Sequence, residues 1–284
     1  MADRAPLALP PGTGGPLDRK LAVLDEVLAA MGRVVVAFSG GADSAFLAVA
    51  AAKVLGTDRA HAVTAVSPSL AATEEADCAA LAATWALRWT RVHTDEVERA
   101  AYRANDVDRC WHCKSALMDQ LAPIAAAEGA VVVLGVNTDD LGEHRPGQQA
   151  AADRGARFPL VEAGLTKRDV RAASQAWDLA TWDKPAAACL ASRVPYGTPV
   201  TVEVMSRVER AEAGLRRLGF GGSLRVRHYG DVARIEVEPA RLAQVVDQRA
   251  GVVAAVQRAG YRYVTVDLEG FRSGNLNEGH VPGR

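Results

Sequence analysis

The 284-residue chain predicts a doubly wound, parallel α/β sheet with a second, smaller α+β domain behind it. Three observations carry this reading. Short continuous apolar runs, rich in valine, alternate with longer helical stretches, as buried parallel strands joined by crossover helices do. Hydrophobic residues make up 49% of the chain but aromatics only 5%, so the core has to be built from Ala, Val and Leu. After about Pro195 the alternation gives way to an α-β-β-α-β order.

Residues 1–16 carry an early acid, no apolar h-region and several Pro and Gly, and read as a disordered leader and not a signal peptide. Leu17, Leu21, Leu24, Leu28 and Met31 share one helical face. Residues 33–39 form a buried strand, 44–55 a helix closed by Gly56, and 60–66 a second strand. A helix over 70–87, a strand over 88–93, a helix over 115–128 closed by Gly129, and a strand over 130–136 follow. Thr166 caps a helix over 166–179. This first domain runs over 17–195. The second, 196–284, has a helix over 201–218 and strands over 223–229 and 232–237 joined through Gly230 and Asp231. A helix over 239–257 and a strand over 261–268 complete a small antiparallel domain.

Lys plus Arg number 33 and Asp plus Glu 34, a net charge of −1, so nothing global draws the chain to nucleic acid or an anionic membrane. No apolar run approaches the ~18 residues of a membrane span. A chain this long with a full core has little need of disulfides, so its four cysteines and missing signal point to a reducing, cytoplasmic setting.

The strongest motif is Ser39-Gly40-Gly41-Ala42-Asp43-Ser44, between a buried strand and a helix. Two glycines let successive N–H groups converge, the helix N-terminus adds partial positive charge, and Ser39 and Ser44 can donate hydroxyl hydrogen bonds. Asp43 beside a phosphate makes sense if it holds Mg²⁺. The alternative is an ordinary strand-to-helix turn. No G-x-x-x-x-G-K-[ST] loop exists, and no G-x-G-x-x-G stands between a strand and a helix. SGGADS resembles the pyrophosphate loop of the N-type ATP pyrophosphatases, which cleave ATP between the α and β phosphates and adenylate an acceptor oxygen.

Further motifs narrow the resemblance. They are Arg109-Cys110-Trp111-His112-Cys113-Lys114, residues 184–197 (KPAAACLASRVPYG), residues 134–140 (LGVNTDD), Arg145-Pro146-Gly147 and residues 267–274 (DLEGFRSG). From about Leu17 to Glu278 the chain resembles the LarE family, ATP-dependent sulfur transferases that build the nickel-pincer nucleotide of lactate racemase. The resemblance implies that ATP adenylates a carboxylate of a pyridinium-3,5-dicarboxylate mononucleotide and that a sulfur nucleophile displaces AMP. One branch sacrifices the sulfur of a single cysteine, matching Cys189. Another holds a [4Fe–4S] cluster on three cysteines, matching Cys110, Cys113 and Cys189. A redox pair, a zinc site with His112, or buried structural cysteines stay open as alternatives. Cys78, among alanines on a helix, reads as core.

A mononucleotide dicarboxylate is strongly anionic, so its site needs cations. Ser192 and Arg193 follow Cys189 closely, and the resemblance places them at the substrate phosphate. Arg225 and Arg227 share one strand face, which the resemblance also assigns to substrate; a solvated face is the alternative. The resemblance matches Glu212 with an active-site carboxylate of the family. Asn137, Asp139 and Asp140 sit at a strand's carboxyl end, within reach of Mg²⁺ or phosphate, or simply cap a turn. Lys167 and Arg168 open a helix, an unfavourable place for cations that a triphosphate would repair. Lys114 and Lys184 flank the cysteines. Trp111 stacks on a ring of a ligand or packs in the core. The expected ligands are thus ATP, Mg²⁺, a nucleotide substrate and a [4Fe–4S] cluster. A homo-oligomer is implied, and neither membrane nor nucleic acid is expected. A tRNA thiolase of the same superfamily and a non-catalytic nucleotide sensor are the alternative functions.

Overall fold

The computed structural model describes residues 14–142, 146–185, 188–272 and 274–277. Most of the expected leader, and Arg145, Ala186, Ala187, Ser273 and Glu278 of the quoted motifs, lie outside the described residues. In chain order the elements are α1 (Pro16–Met31), β1 (Val34–Ala37), α2 (Ala42–Leu55), β2 (Ala60–Val66), α3 (Ala72–Thr84) and β3 (Arg88–His93). Then come α4 (Ala100–Ala104), α5 (Arg109–Glu128), β4 (Val131–Leu134), α6 (Pro146–Ala152), α7 (Pro159–Glu162), α8 (Lys167–Ala176) and α9 (Val202–Arg217). The chain ends with β5 (Arg225–Tyr229), β6 (Val232–Glu236), α10 (Leu242–Asp247), α11 (Arg249–Arg258) and β7 (Tyr263–Val266).

Two compact units result. Met1–Val66, Ala72–Thr94 and Lys114–Ala186 make the first; Ser67–Ala71, Asp95–Cys113 and Ala187–Arg284 make the second. This division differs from a single cut at residue 195, because two excursions beyond β2 and β3 belong to the second unit. Packing explains it. Val97 and Tyr102 bury with Leu190, Val194, Val200 and Met205. The Leu190 N–H donates to the Ser69 carbonyl (2.9 Å) and the Val200 N–H to the Arg103 carbonyl (2.9 Å). Such partners are distant in sequence, so periodicity cannot reveal them.

In the first unit the strand order is β3-β2-β1-β4, with every pairing parallel. Side chains alternate between the faces. Val34 and Val36 pack with Leu24 and Leu28 of α1, Phe46 and Leu47 of α2 and Val170 of α8. Val35 packs with Leu117, Met118 and Leu121 of α5. Helices therefore cover both faces, the doubly wound arrangement the sequence predicts. Each such side chain contributes about 1.5–3 kcal/mol on burial, so both faces of β1 favour an unbroken valine run. Because β1 lies between β2 and β4, the strand order reverses there, and the crevice for a ligand opens at the carboxyl ends of β1 and β4.

In the second unit β5 and β6 form an antiparallel hairpin, but β7 joins β6 in parallel. The all-antiparallel expectation fails because α10 and α11 carry the chain back before β7, as a parallel crossover requires. The helix expected over 239–257 is interrupted at Gln248, which leaves helical backbone (φ −94°, ψ 20°) between α10 and α11. Leu215, Phe220, Val226, Ile235 and Val256 form the core.

Helix α8 starts in a reciprocal cap. Thr166 Oγ1 accepts from the Asp169 N–H (3.1 Å), and Asp169 Oδ2 accepts from the Thr166 N–H (3.0 Å). Lys20 of α1 donates to the same oxygen at 2.6 Å. Burial pushes the Asp169 carboxyl up, but the bonds from Lys20 and Thr166 outweigh it and hold it at about 2. A depressed acid stabilises fully above its unfolded value of 3.8, and that stabilisation is lost as the pH falls through about 2. Solvent screening of this surface pair discounts the shift, so Asp169→Asn should cost about 1 kcal/mol at pH 7 in urea denaturation, and the gap to wild type should shrink steadily below pH 4.

Candidate active site

The loop between β1 and α2 is shaped by small side chains. Gly40 has φ +67°, and a Cβ there would lie 2.9 Å from the Cys78 sulfur. Gly41 caps α2 with no side chain over the helix end. The first turn of α2, which includes Ala42, Asp43 and Ser44, has N–H groups with no carbonyl of its own helix to meet. Ser44 Oγ accepts from the Ser39 N–H (3.2 Å), lies 3.0 Å from Ser39 Oγ, and donates to the Gly41 carbonyl (3.2 Å). The loop is thus locked open over a helix N-terminus, the geometry that receives phosphate. Cys78 is fully buried, as expected of a core residue, and burial raises its pKa.

The carboxyl end of β4 delivers the next groups. Asn137, fully buried, donates from Nδ2 to Asp43 Oδ1 (3.1 Å), and its own N–H donates to Asp140 Oδ2 (3.1 Å). The Asp139 N–H donates to Asn137 Oδ1 (3.0 Å), and the Lys167 N–H donates to Asp139 Oδ2 (2.9 Å). One chain of bonds joins Asp43, Asn137, Asp139 and the start of α8. Burial raises the Asp43 pKa and the Asp140 carboxylate adds to this, while Asn137 and the charge of Lys167 oppose it. A half-buried carboxyl beside a second acid has the donor chemistry of a divalent-cation site. Lys184 pairs instead with Glu74 (3.1 Å) and Asp77 (3.0 Å) of α3.

The second unit holds the cysteines and the arginines. Helix α5 begins at Arg109, earlier than expected, so Cys110 and Cys113 stand in its first turns; Cys110 is exposed and Cys113 half-buried. Cys189, half-buried, precedes a 3-10 turn over Leu190–Arg193. Among the described residues no group of three His, Cys, Asp or Glu closes on a single metal ion. His112 bonds Asp108 (3.2 Å), and Trp111 is exposed, set edge-on to His112. Trp111 therefore is not a core residue.

Arg193 is buried, and each of its nitrogens donates to the protein. Nε and Nη2 hold Glu212 (2.9 and 3.1 Å), and Nη1 donates to the Cys189 carbonyl (2.9 Å), the Ala188 carbonyl and Ser192 Oγ (3.1 Å). Glu212 also accepts from the Val226 N–H (3.1 Å) and Arg216 (3.1 Å). Burial would raise its pKa, but Arg193 and these further donors hold it below the usual range. Ser192 Oγ donates to the Cys189 carbonyl (2.7 Å). Arg227 donates to Glu236 (2.9 Å), the Ser192 carbonyl (2.9 Å) and Asn275 Oδ1 (2.7 Å). Arg193, Glu212 and Arg227 thus fix the backbone of the cysteine turn, and a phosphate on Arg193 would have to break bonds already made. Arg225 donates from Nη1 to the Leu224 carbonyl (2.8 Å) and lies over the Phe271 ring (5.1 Å); burial, with repulsion from Arg193, Arg227 and Arg216 outweighing the attraction of Glu212, lowers its pKa to about 10. An anion beside Arg225 would relieve that repulsion.

A family model described as NAD synthase matches residues 19–114, the stretch containing the loop at 39–44. Over 264 residues the chain is 47% identical to an uncharacterized protein of Synechocystis sp., covering 92% of this chain and 98% of that protein. Over 264 residues it is 39% identical to the pyridinium-3,5-bisthiocarboxylic acid mononucleotide synthase of Lactiplantibacillus plantarum, covering 92% of this chain and 95% of the relative. The chain belongs to the LarE family. Its loop and sheet are those of the ATP pyrophosphatase fold, and LarE membership makes it an ATP-dependent sulfur-transferring enzyme.

Within this LarE chain, three residues of the site escaped sequence reasoning. Gly135 stood only as a letter in a motif, yet a Cβ there would lie 2.7 Å from the Ser44 N and 2.8 Å from the Asp43 carbonyl carbon. Tyr102 is buried in the apolar cluster against which Cys113 and Cys189 pack, and Arg109 is buried next to Cys110 in the chain; that adjacency was the only available signal. Gly135→Ala must push the first turn of α2 away from β4. Isothermal titration should show ATP affinity reduced at least about tenfold, and denaturation a loss of about 1–3 kcal/mol.

Proposed function

We propose that this chain synthesises pyridinium-3,5-bisthiocarboxylic acid mononucleotide from the corresponding dicarboxylate, toward the nickel-pincer nucleotide of lactate racemase. One observation carries the reading: the Ser39–Ser44 loop, with Asp43 held by Asn137, occurs in a chain 39% identical over 92% of its length to a protein of that name. The loop amides and the α2 N-terminus would bind the ATP phosphates, and Asp43, with Asn137 and Asp140 beside it, would hold Mg²⁺. A ring carboxylate oxygen attacks the α-phosphorus, the bond to pyrophosphate breaks, and an acyl adenylate forms. Positioning and charge supply most of this step.

A sulfur nucleophile at Cys189 then attacks the acyl carbon, and AMP leaves with the electron pair of the broken C–O bond. In the sacrificial route the resulting thioester loses the Cys189 Cα proton and its Cβ–S bond breaks, which gives thiocarboxylate and dehydroalanine. By number and order, Cys110, Cys113 and Cys189 match the three-thiolate set of the cluster-bearing branch, although among the described residues no such group closes on a metal ion. Their charge would answer the buried Arg109 guanidinium, on which the Cys189 and Cys110 thiols act most strongly after burial. Such a cluster would supply an open iron position for sulfide. Arg225 and Trp111 form the substrate end of this reading, while Ser192, Arg193, Glu212 and Arg227, which the resemblance also assigns to substrate, hold the turn that carries Cys189. Exposed Tyr229, Tyr263 and Leu268 on the second unit support assembly of copies through that unit. No described helix is long and apolar enough to cross a membrane, and we assign the enzyme to the cytoplasm, where its free thiols stay reduced.

Chain, ATP, Mg²⁺ and dicarboxylate mononucleotide should yield AMP, pyrophosphate and a product in which sulfur has replaced oxygen; ADP and orthophosphate would refute the reading. Asp43→Asn should reduce pyrophosphate release at least about 100-fold while the fold survives. Cys189→Ser should stop thiocarboxylate formation, read by mass spectrometry of the small molecules. Loss of the elements of H₂S from the wild-type chain, set against iron content after anaerobic purification, separates the two sulfur routes.

A further inference from the structure

A buried hydroxyl at the entrance to the 39–44 loop belongs to none of the motifs and is unused by the reaction above. Thr64 on β2 is 1% exposed, and its Oγ1 donates to the Phe38 carbonyl at 2.7 Å. Phe38 stands between the end of β1 and Ser39. β1 and β2 pair in register up to Ala37 and Val63, and the Phe38 N–H adds a last backbone bond to the Val63 carbonyl (2.8 Å). Past that point the Thr64 side chain supplies the bond to the Phe38 carbonyl. A buried carbonyl needs such a donor, because the hydration it gives up is not otherwise recovered.

The same peptide is held on its opposite edge. The Phe38 carbonyl and the Ser39 N–H belong to one planar unit and point in opposite directions across it. The Ser39 N–H donates to Ser44 Oγ in the first turn of α2 (3.2 Å). The plane cannot turn over without breaking both bonds. Turned over, it would aim the Phe38 carbonyl at the loop, where its partial negative charge opposes a phosphate. The direction of the Thr64 hydroxyl is set in turn by Trp89 on β3, in register opposite Ala62 and so a diagonal neighbour of Thr64. The Trp89 indole N–H donates to Thr64 Oγ1 (2.8 Å), which leaves the hydroxyl hydrogen for Phe38.

We propose that Thr64 is a positioning residue for ATP: by holding the Phe38–Ser39 peptide it keeps that carbonyl turned into the sheet, so that the loop offers the phosphates N–H groups and hydroxyls. The inference rests on the reading of residues 39–44 as the ATP phosphate site. Thr64 acts through the peptide and forms no bond to the nucleotide.

Thr64→Val keeps the shape of the side chain and deletes the donor, and Thr64→Ser restores it. Isothermal titration with Mg-ATP should show Kd raised at least about tenfold in Thr64→Val and held within about threefold in Thr64→Ser. In turnover KM for ATP should rise in Thr64→Val while KM for the dicarboxylate is held. Trp89→Phe separates this from general stability. It removes a bond to the same oxygen and lowers the thermal midpoint, but leaves the donor to Phe38, so ATP affinity should stay within about threefold of wild type. A further readout needs no ligand. Phe38-Ser39 is the one Phe-Ser step in the sequence. Carbon-13 at the phenylalanine carbonyls with nitrogen-15 in serine therefore gives a single signal from this peptide, which should move in Thr64→Val and hold in Thr64→Ser. Wild-type ATP affinity in Thr64→Val, or an unmoved signal, overturns the inference. So does a loss in Trp89→Phe as large as in Thr64→Val. If Thr64→Val does not fold, the other two variants still decide, since a tenfold loss of ATP affinity in either overturns the inference. A wild-type chain that binds no ATP refutes the reading of the loop itself, and the inference with it.

Discussion

The approach of one backbone to another at the carboxyl end of β4 governs the nucleotide half of this protein. Gly135 leaves no room for a side chain against Asp43 and Ser44. That contact brings the chain after β4 alongside the first turn of α2, and Asn137 can then bridge to Asp43. The same segment continues through Asp139 to the start of α8, so loop, strand end and a second helix N-terminus form one bonded unit. Its cost is a carboxyl held half-buried beside another acid, with its pKa raised. A divalent cation there, as proposed for Mg²⁺, would relieve that cost.

The second unit solves a different problem, the fixing of a short turn around Cys189. It does so with buried ion pairs. Arg193 ties Glu212 to the Cys189 carbonyl, and Arg227 ties Glu236 to the Ser192 carbonyl. Buried pairs recover little net stability once desolvation is counted, but they accept only one geometry. Arg225 sits among the resulting guanidiniums, and burial together with their repulsion lowers its pKa to about 10.

The fold was legible where a single physical rule dominates. Valine runs mark strands buried on both faces, and Val34, Val35 and Val36 do pack with helices on opposite sides. The expected cap at Thr166 is present with Asp169 completing it. The loop at 39–44 was legible because glycine, serine and a following helix leave few other uses for that order. The helix over 239–257 was not, because no residue near Gln248 is a strong breaker, and the break depends on how α10 and α11 meet their neighbours.

Sequence alone determined the α/β class, the phosphate-type loop, the three cysteines of the motifs and the membership that follows from their order. Tertiary structure alone decided which side chains those motifs meet. Arg193 and Glu212 prove to be each other's partners, Gly135 proves to be a contact point, and Tyr102 joins the apolar cluster that Cys189 packs against from an excursion far from Cys189 in the chain. The reason is range. Strand burial, capping and loop shape are set by neighbours within a few residues, whereas ion pairs and close approaches depend on three-dimensional packing that no local pattern encodes.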